Sequence, residues 1–175
     1  VLGLSNINLE LRNKNIEVIM GLSGSGKSTL IRHINRLIDP TAGSITVEGE
    51  DIIGMSKEKL RQFRQQKTAM VFQSFALLPH KTVMDNVCYG IFLQGITGDE
   101  AHQRAKKWID RVGLSGYEDR YPSQLSGGMK QRVGLARALT CDTEILMMDE
   151  AFSALDPLIR SDMQDLLLEL QKELH

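Results

Sequence analysis

Three short runs in this 175-residue chain carry residue types that can act on a phosphate. The first, Gly21-Leu22-Ser23-Gly24-Ser25-Gly26-Lys27-Ser28, fits the pattern GxxxxGK(S/T). Its glycines let successive backbone N–H groups turn inward around a polyphosphate, and the following helix start adds partial positive charge. Lys27 then reaches the β and γ phosphates, and the Ser28 hydroxyl is placed to ligate magnesium. The second run is Asp149-Glu150, behind the apolar Ile145-Leu146-Met147-Met148. Asp149 can hold the metal through water, and Glu150, one residue on, can polarise an attacking water as general base. Alone, this pair reads equally as two solvated acids after a core strand; the phosphate loop gives it a partner. The third is Leu125-Ser126-Gly127-Gly128. Ser126 there caps a helix whose free N–H groups and dipole favour an anion, the plainer alternative being a flexible turn with a capped helix.

These runs need elements to position them. Ile16–Met20, Thr68–Phe72 and Ile145–Met148 are short, nearly continuous apolar segments of the kind found in strands covered on both faces, and read as a parallel core. The phosphate loop sits between the first of them and the amphipathic segment Thr29–Ile38, as its chemistry requires. Ile7, Leu9 and Leu11 alternate with polar residues, as do Ile45 and Val47, which predicts half-buried antiparallel strands at a sheet edge. Thr97 with Glu100 fits a capping box, and Ala101, Ala105, Trp108, Ile109 and Val112 follow as one helical stripe, so a helical insert is expected. Asp156 as N-cap, Pro157 at the first helical position and the stripe Ile159, Met163, Leu166, Leu167, Leu170 predict a last helix.

Composition narrows the class. With 42% apolar and 25% charged residues the chain reads as one ordinary soluble domain. A net charge of −1, from 21 basic and 22 acidic residues, supplies no broad positive field and argues against a nucleic-acid partner. Cys88 and Cys141 belong to no CxxC and are expected as reduced thiols, outside any disulfide or zinc framework. His33, His80 and His102 have no metal spacing and read as surface or helix-face residues. No apolar run approaches the roughly 20 residues that span a bilayer. The chain opens on Val1 and stops at His175 within a helical pattern, which reads as a trimmed stretch.

Taken together, the order of these motifs resembles the ABC-type ATPases. Leu125-Ser126-Gly127-Gly128 before a helix and just upstream of the acidic strand is similar to their signature motif. Gln73 fits the Q-loop, and Ser153-Ala154-Leu155-Asp156 fits the D-loop. The resemblance covers the whole chain and implies a P-loop NTPase fold of the α/β class, with a parallel core sheet, an antiparallel β edge and a helical subdomain. It implies one ATPase domain over 1–175, incomplete, with a RecA-like core at 12–80 and 140–175. The antiparallel portion is expected near 1–11 and 44–50, and the helical signature subdomain at about 81–139. ATP would be bound by Gly21, Ser23, Gly24, Ser25, Gly26, Lys27, Ser28 and Thr29, and Mg2+ by Ser28, Gln73 and Asp149. Glu150, Gln73 and Lys27 would serve hydrolysis. Two such domains are expected to pair head to tail, so that Ser126, Gly127, Gly128 and Asp156 of one face the nucleotide of the other.

Finer similarity points to the ATPase subunits of glycine betaine and proline betaine importers. It rests on Met129 where the signature usually has Gln, on Met20-Gly21-Leu22-Ser23, and on Phe72-Gln73-Ser74-Phe75-Ala76-Leu77-Leu78-Pro79-His80. Met148-Asp149-Glu150-Ala151-Phe152-Ser153 belongs to the same set. That resemblance implies a peripheral subunit on the cytoplasmic face of the membrane. A permease would dock near Phe75–Val83, with a solute-binding protein acting indirectly. Core packing is the alternative reading for Phe75, Leu77 and Leu78, and an importer of another small solute is the alternative function. Two family features are not found: no aromatic precedes the phosphate loop, the first being Phe63, and His175 belongs to a helix end rather than to a switch-histidine strand. A chromosome or repair ATPase would carry a long coiled coil or zinc insert between the motifs. A P-loop kinase would leave Ser126-Gly127-Gly128 without a task.

Overall fold

The structure is a computed structural model that describes residues 3–153 and 155–173; Val1, Ala154 and His175, all named above, lie outside the described residues. In chain order the elements are α1 (Lys27–Ile34), β1 (Thr46–Val47), β2 (Glu50–Asp51), α2 (Lys57–Gln66) and β3 (Thr68–Phe72). They continue with α3 (Val83–Leu93), α4 (Gly98–Arg111), a 3-10 turn (Pro122–Gln124), α5 (Gly127–Thr140), β4 (Ile145–Asp149) and α6 (Pro157–Glu173). The combination of a parallel pair, an antiparallel pair and a run of helices is the expected α/β architecture.

Strands β3 and β4 pair in parallel, Thr68 opposite Ile145 through Phe72 opposite Asp149, so both end at the same edge. Parallel neighbours need a crossover, and here α3, α4 and α5 provide it. β1 and β2 form a short antiparallel hairpin with Val47 opposite Glu50. Glu48 and Gly49, at φ 50° and 83°, supply the two left-handed residues that such a two-residue turn demands.

Two expected strands do not form. Ile7–Leu11 lies outside any sheet, with Ile7 and Leu9 about half exposed. Ile16–Met20, expected as the buried strand leading into the phosphate loop, also remains unpaired, and Val18 and Met20 are 73% and 87% exposed. The reason is pairing. A strand persists when its N–H and C=O groups meet a neighbour. β3 covers one edge of β4, and among the described residues no strand lies along the other.

The helical part follows the expected stripe closely. Ala101, Ala105, Ile109 and Val112 are fully buried against α3 and α5, in one cluster with Val87, Ile91 and Val133. Trp108 sits at the rim, with the Arg111 guanidinium 5.3 Å from its ring centre. The capping box is corrected: Thr97 is the N-cap of α4, but its side chain makes no capping bond, and Glu100 pairs with Arg104 at 2.8 Å instead. Gly98 begins this helix at φ 67°, off regular helical geometry. Because Ile109 is fully enclosed, Ile109→Ala should destabilise the protein by about 2–5 kcal/mol. Urea denaturation checks this; an unchanged midpoint would contradict the packing described.

A second cluster joins the sheet to α5 and α6 through Val71, Leu135, Ala138 and Met163. The start of α6 is as expected, with Asp156 Oδ1 accepting the Ile159 N–H at 3.1 Å and Pro157 as the first helical residue. Helix α5 thus contributes to both clusters, with Val133 and Ala136 on the helical side and Leu135 and Ala138 on the sheet side.

Candidate nucleotide site

The C-terminal ends of β3 and β4 collect most of the chemistry. The phosphate loop leads directly into α1, whose N-cap is Gly26 at φ 94°. A side chain at that position would collide as well: a Cβ on Gly26 would lie 2.8 Å from Leu4 Cδ2. No side chain caps α1, which leaves its first N–H groups for a ligand. Gly21, Ser23, Gly24 and Ser25 are exposed around this mouth, and Ser28 and Thr29 follow on the first turn of α1, half-buried. Lys27 fills the loop with its own ammonium group, donating to Gly21 O at 3.1 Å and Leu22 O at 3.0 Å, and lies 3.6 Å from Glu150 Oε1. An incoming phosphate would offer that group stronger, charged acceptors than these carbonyls.

Asp149 is the last residue of β4 and only 1% exposed. Arg32 on α1 grips its Oδ2 from Nη2 at 2.7 Å and Nε at 2.9 Å. Its Oδ1 is buried without a protein partner. An orphaned carboxylate oxygen costs about 1–3 kcal/mol or more when desolvated, so it is a place where a hydrated cation fits. Ser28, Asp149 and Gln73 carry a hydroxyl, a carboxylate and a carboxamide, oxygen donors of the kind magnesium takes beside water and phosphate. No cluster of three His, Cys, Asp or Glu exists among the described residues, so such an ion would depend on the nucleotide for its remaining ligands.

Glu150 leaves the strand with φ 48°, a left-handed backbone that persists in a non-glycine residue only when neighbours hold it. Ser153 does the holding: both its N–H, at 3.0 Å, and its hydroxyl, at 2.8 Å, donate to Glu150 O. Gln73 Nε2 in turn donates to Ser153 Oγ at 3.1 Å. Lys27 and Glu150 are therefore linked directly and Gln73 reaches Glu150 through Ser153, whereas Asp149 precedes Glu150 in the chain and pairs with Arg32. Sequence reading missed Arg32 as the Asp149 partner. An arginine on an amphipathic helix gives no signal to distinguish it from one on a solvated face.

The signature run is built as expected but stands apart. Ser126 Oγ accepts the Met129 N–H at 3.3 Å and caps α5. Gly128 is needed for contact, since a Cβ there would sit 2.9 Å from Ile159 Cδ1 of α6. Gly127 has open space in place of a side chain. Among the described residues no hydrogen bond or ion pair ties Ser126, Gly127 or Gly128 to the phosphate loop. Asp156 spends its carboxylate on capping α6. The two thiols carry no chemistry: both are free, and burial pushes Cys88 and Cys141 each up to about 11.

Known proteins resemble this chain in sequence and fold. The family profile described as ABC transporter matches residues 4–153. The glycine betaine transport ATP-binding protein OpuAA of Bacillus subtilis is 60% identical over 168 residues, which is 96% of this chain and 40% of that protein. The glycine betaine/proline betaine transport system ATP-binding protein ProV of Escherichia coli is 55% identical over 170 residues, covering 97% of this chain and 42% of that protein. The chain thus spans less than half the length of these relatives. Among solved structures, the dimeric bacterial ABC transporter cassette MJ0796 superposes with a TM-score of 0.90 at 33% identity, covering 98% of this chain and 75% of that one. The same cassette is known in a dimeric post-hydrolysis state bound to ADP and Pi. With the profile matching most of its length and a cassette of the same fold matching nearly all of it, this chain belongs to the ABC transporter family, as an ATP-binding domain.

Proposed function

We propose that this chain is the ATP-binding and hydrolysing part of a motor subunit that drives an importer for glycine betaine or proline betaine-type solutes. The observation that carries the catalytic half is the convergence of Lys27, Asp149, Glu150 and Gln73 at the ends of β3 and β4. In this reading Gly21 to Ser28, with Thr29, hold the phosphates, and Lys27 leaves its loop carbonyls for the β and γ oxygens. Magnesium, held by Ser28, Asp149 and Gln73, would supply charge neutralisation at those oxygens. Glu150, fixed by Ser153, takes the proton from the attacking water, and Gln73 orients that water. The proposed division of labour keeps a core at 12–80 and 140–175 and a helical part at about 81–139, and confines the antiparallel edge to the hairpin near 44–50, since Ile7–Leu11 joins no sheet.

The open, capped end of α5 supports an in-trans task for Ser126, Gly127 and Gly128. Their N–H groups are offered to an anion that this chain's own loop does not bring to them. A second copy, arranged head to tail, would deliver its nucleotide there, with Asp156 at the same seam. Ser126→Arg should leave ATP binding by the monomer within about 2-fold while lowering hydrolysis at least about 100-fold, the size of a lost oxyanion-type contact. Calorimetry beside phosphate release checks this; parallel loss of binding would contradict the in-trans reading.

The importer half rests on the relatives' transport roles and on the segment Phe75–Val83, which combines partly buried Phe75, Leu77 and Leu78 with exposed Pro79 and His80. It is offered as the docking surface for a permease at the cytoplasmic face of the membrane, a solute-binding protein acting through that permease. No helix among the described residues is long and apolar enough to cross a membrane itself. Uptake of labelled glycine betaine by cells carrying the full-length protein should stop with Glu150→Gln. Uptake unaffected by that change would contradict the assignment of solute and motor together.

A further inference from the structure

Arg137 lies on α5, the helix that begins at the signature residues, and it reaches out of that helix to a loop. Its Nη1 donates to Ala76 O at 2.8 Å and its Nη2 to Phe75 O at 3.1 Å. Phe75 and Ala76 both have left-handed backbones, at φ 64° and 46°, a conformation that non-glycine residues keep only when something holds them. The turn is tight, with the Ala76 N–H on Ser74 O at 2.7 Å and the Phe75 N–H on Phe72 O at 3.1 Å. The far end of the same loop is tied separately. Asn86 accepts the Leu78 N–H at 2.8 Å and donates back to the carbonyls of Leu78, Lys81 and Thr82. Among the described residues Arg137 is thus the side chain that bonds the strained end. Two residues upstream of that end stands Gln73, on the hydrogen-bonded path through Ser153 to Glu150.

We propose that Arg137 is a positioning residue for hydrolysis. By gripping the Phe75 and Ala76 carbonyls it holds the strained turn that sets Gln73 against Ser153 and Glu150, so a shift of α5 reaches the general base. This rests on the reading of Gln73 and Glu150 given above. The competing account is that Arg137 only satisfies two carbonyls and stabilises the fold. The two differ in what changes: positioning moves the chemical step, whereas a stabilising contact moves unfolding and ATP binding together.

The test is steady-state ATP hydrolysis by the full-length protein in four forms: wild type, Gln73→Ala, Arg137→Met, and Arg137→Met with Ala76→Gly. Arg137→Met should lower kcat about 10-fold with KM for ATP within about 2-fold, the pattern of a loss confined to the transition state. Ala76→Gly should recover about 3-fold of that, because glycine adopts the left-handed turn without being held. Gln73→Ala should lower kcat as well. If Gln73→Ala lowers kcat but Arg137→Met does not, the Arg137 inference fails alone; if Gln73→Ala changes nothing, the reading beneath it fails too. Parallel loss of kcat, ATP affinity and cooperative unfolding, with no rescue by Ala76→Gly, would make Arg137 purely structural and overturn the proposal. Should Arg137→Met not fold, Arg137→Lys carries the test, since it keeps the charge but not the two-pronged grip. Lowered kcat at unchanged KM in that variant supports positioning, and wild-type kcat overturns it.

Discussion

Glu150→Gln should leave ATP binding intact and lower hydrolysis by about 10²- to 10⁴-fold, the usual contribution of a positioned general base. The structure explains why binding should survive. Among the described residues Glu150 is linked to the phosphate loop through Lys27, 3.6 Å away, and Lys27 has two loop carbonyls besides. Removing the carboxylate charge therefore frees the lysine for a phosphate rather than stranding it. The backbone that aims residue 150 depends on its carbonyl and Ser153, neither of which the substitution alters. A variant of this kind should also accumulate the ATP-bound dimer, seen as a shift in elution volume with MgATP. Hydrolysis near the wild-type rate would require a different base.

Lys27→Ala should weaken ATP binding by about 2–5 kcal/mol, the cost of truncating one partner of the charge pair that a bound phosphate would make and cover. That corresponds to a rise in Kd of roughly 30- to several-thousand-fold. No other ammonium contacts the loop carbonyls of Gly21 and Leu22 among the described residues. Titration of a fluorescent ATP analogue measures this directly, and an unchanged Kd would mean that the loop is not the nucleotide site. Folding should be nearly unaffected, because the lysine is held by exposed carbonyls and packs in no core cluster.

The local motifs around this site were more legible in the sequence than the packing that joins them. GxxxxGK(S/T), the acid pair after an apolar strand and the capped Ser126 are local patterns, and local physics governs them. Thr68–Phe72 reads as the strand it forms residue for residue, because a strand covered on both faces is nearly continuous in apolar residues. Ile16–Met20 is also mostly apolar and forms no strand, since composition states a need for burial and does not supply the neighbour that meets it. Thr97 illustrates a smaller failure, in which residue types suit a capping box but the backbone around Gly98 does not form it. The contacts of Arg32 with Asp149 and of Arg137 with Ala76 span 117 and 61 residues along the chain. Nothing in the sequence around either arginine names its partner. Those long-range grips connect the readable motifs to one another.

One experiment bears most directly on the central claim that Lys27, Asp149 and Glu150 form a hydrolytic ATP site completed by a second copy. Phosphate release from MgATP would be measured on the full-length protein over a range of protein concentrations, with Glu150→Gln alongside. Turnover rising faster than linearly with concentration, and lost in the variant, is the expected result. Turnover strictly proportional to concentration and equal in both proteins would contradict both the assigned base and the shared site.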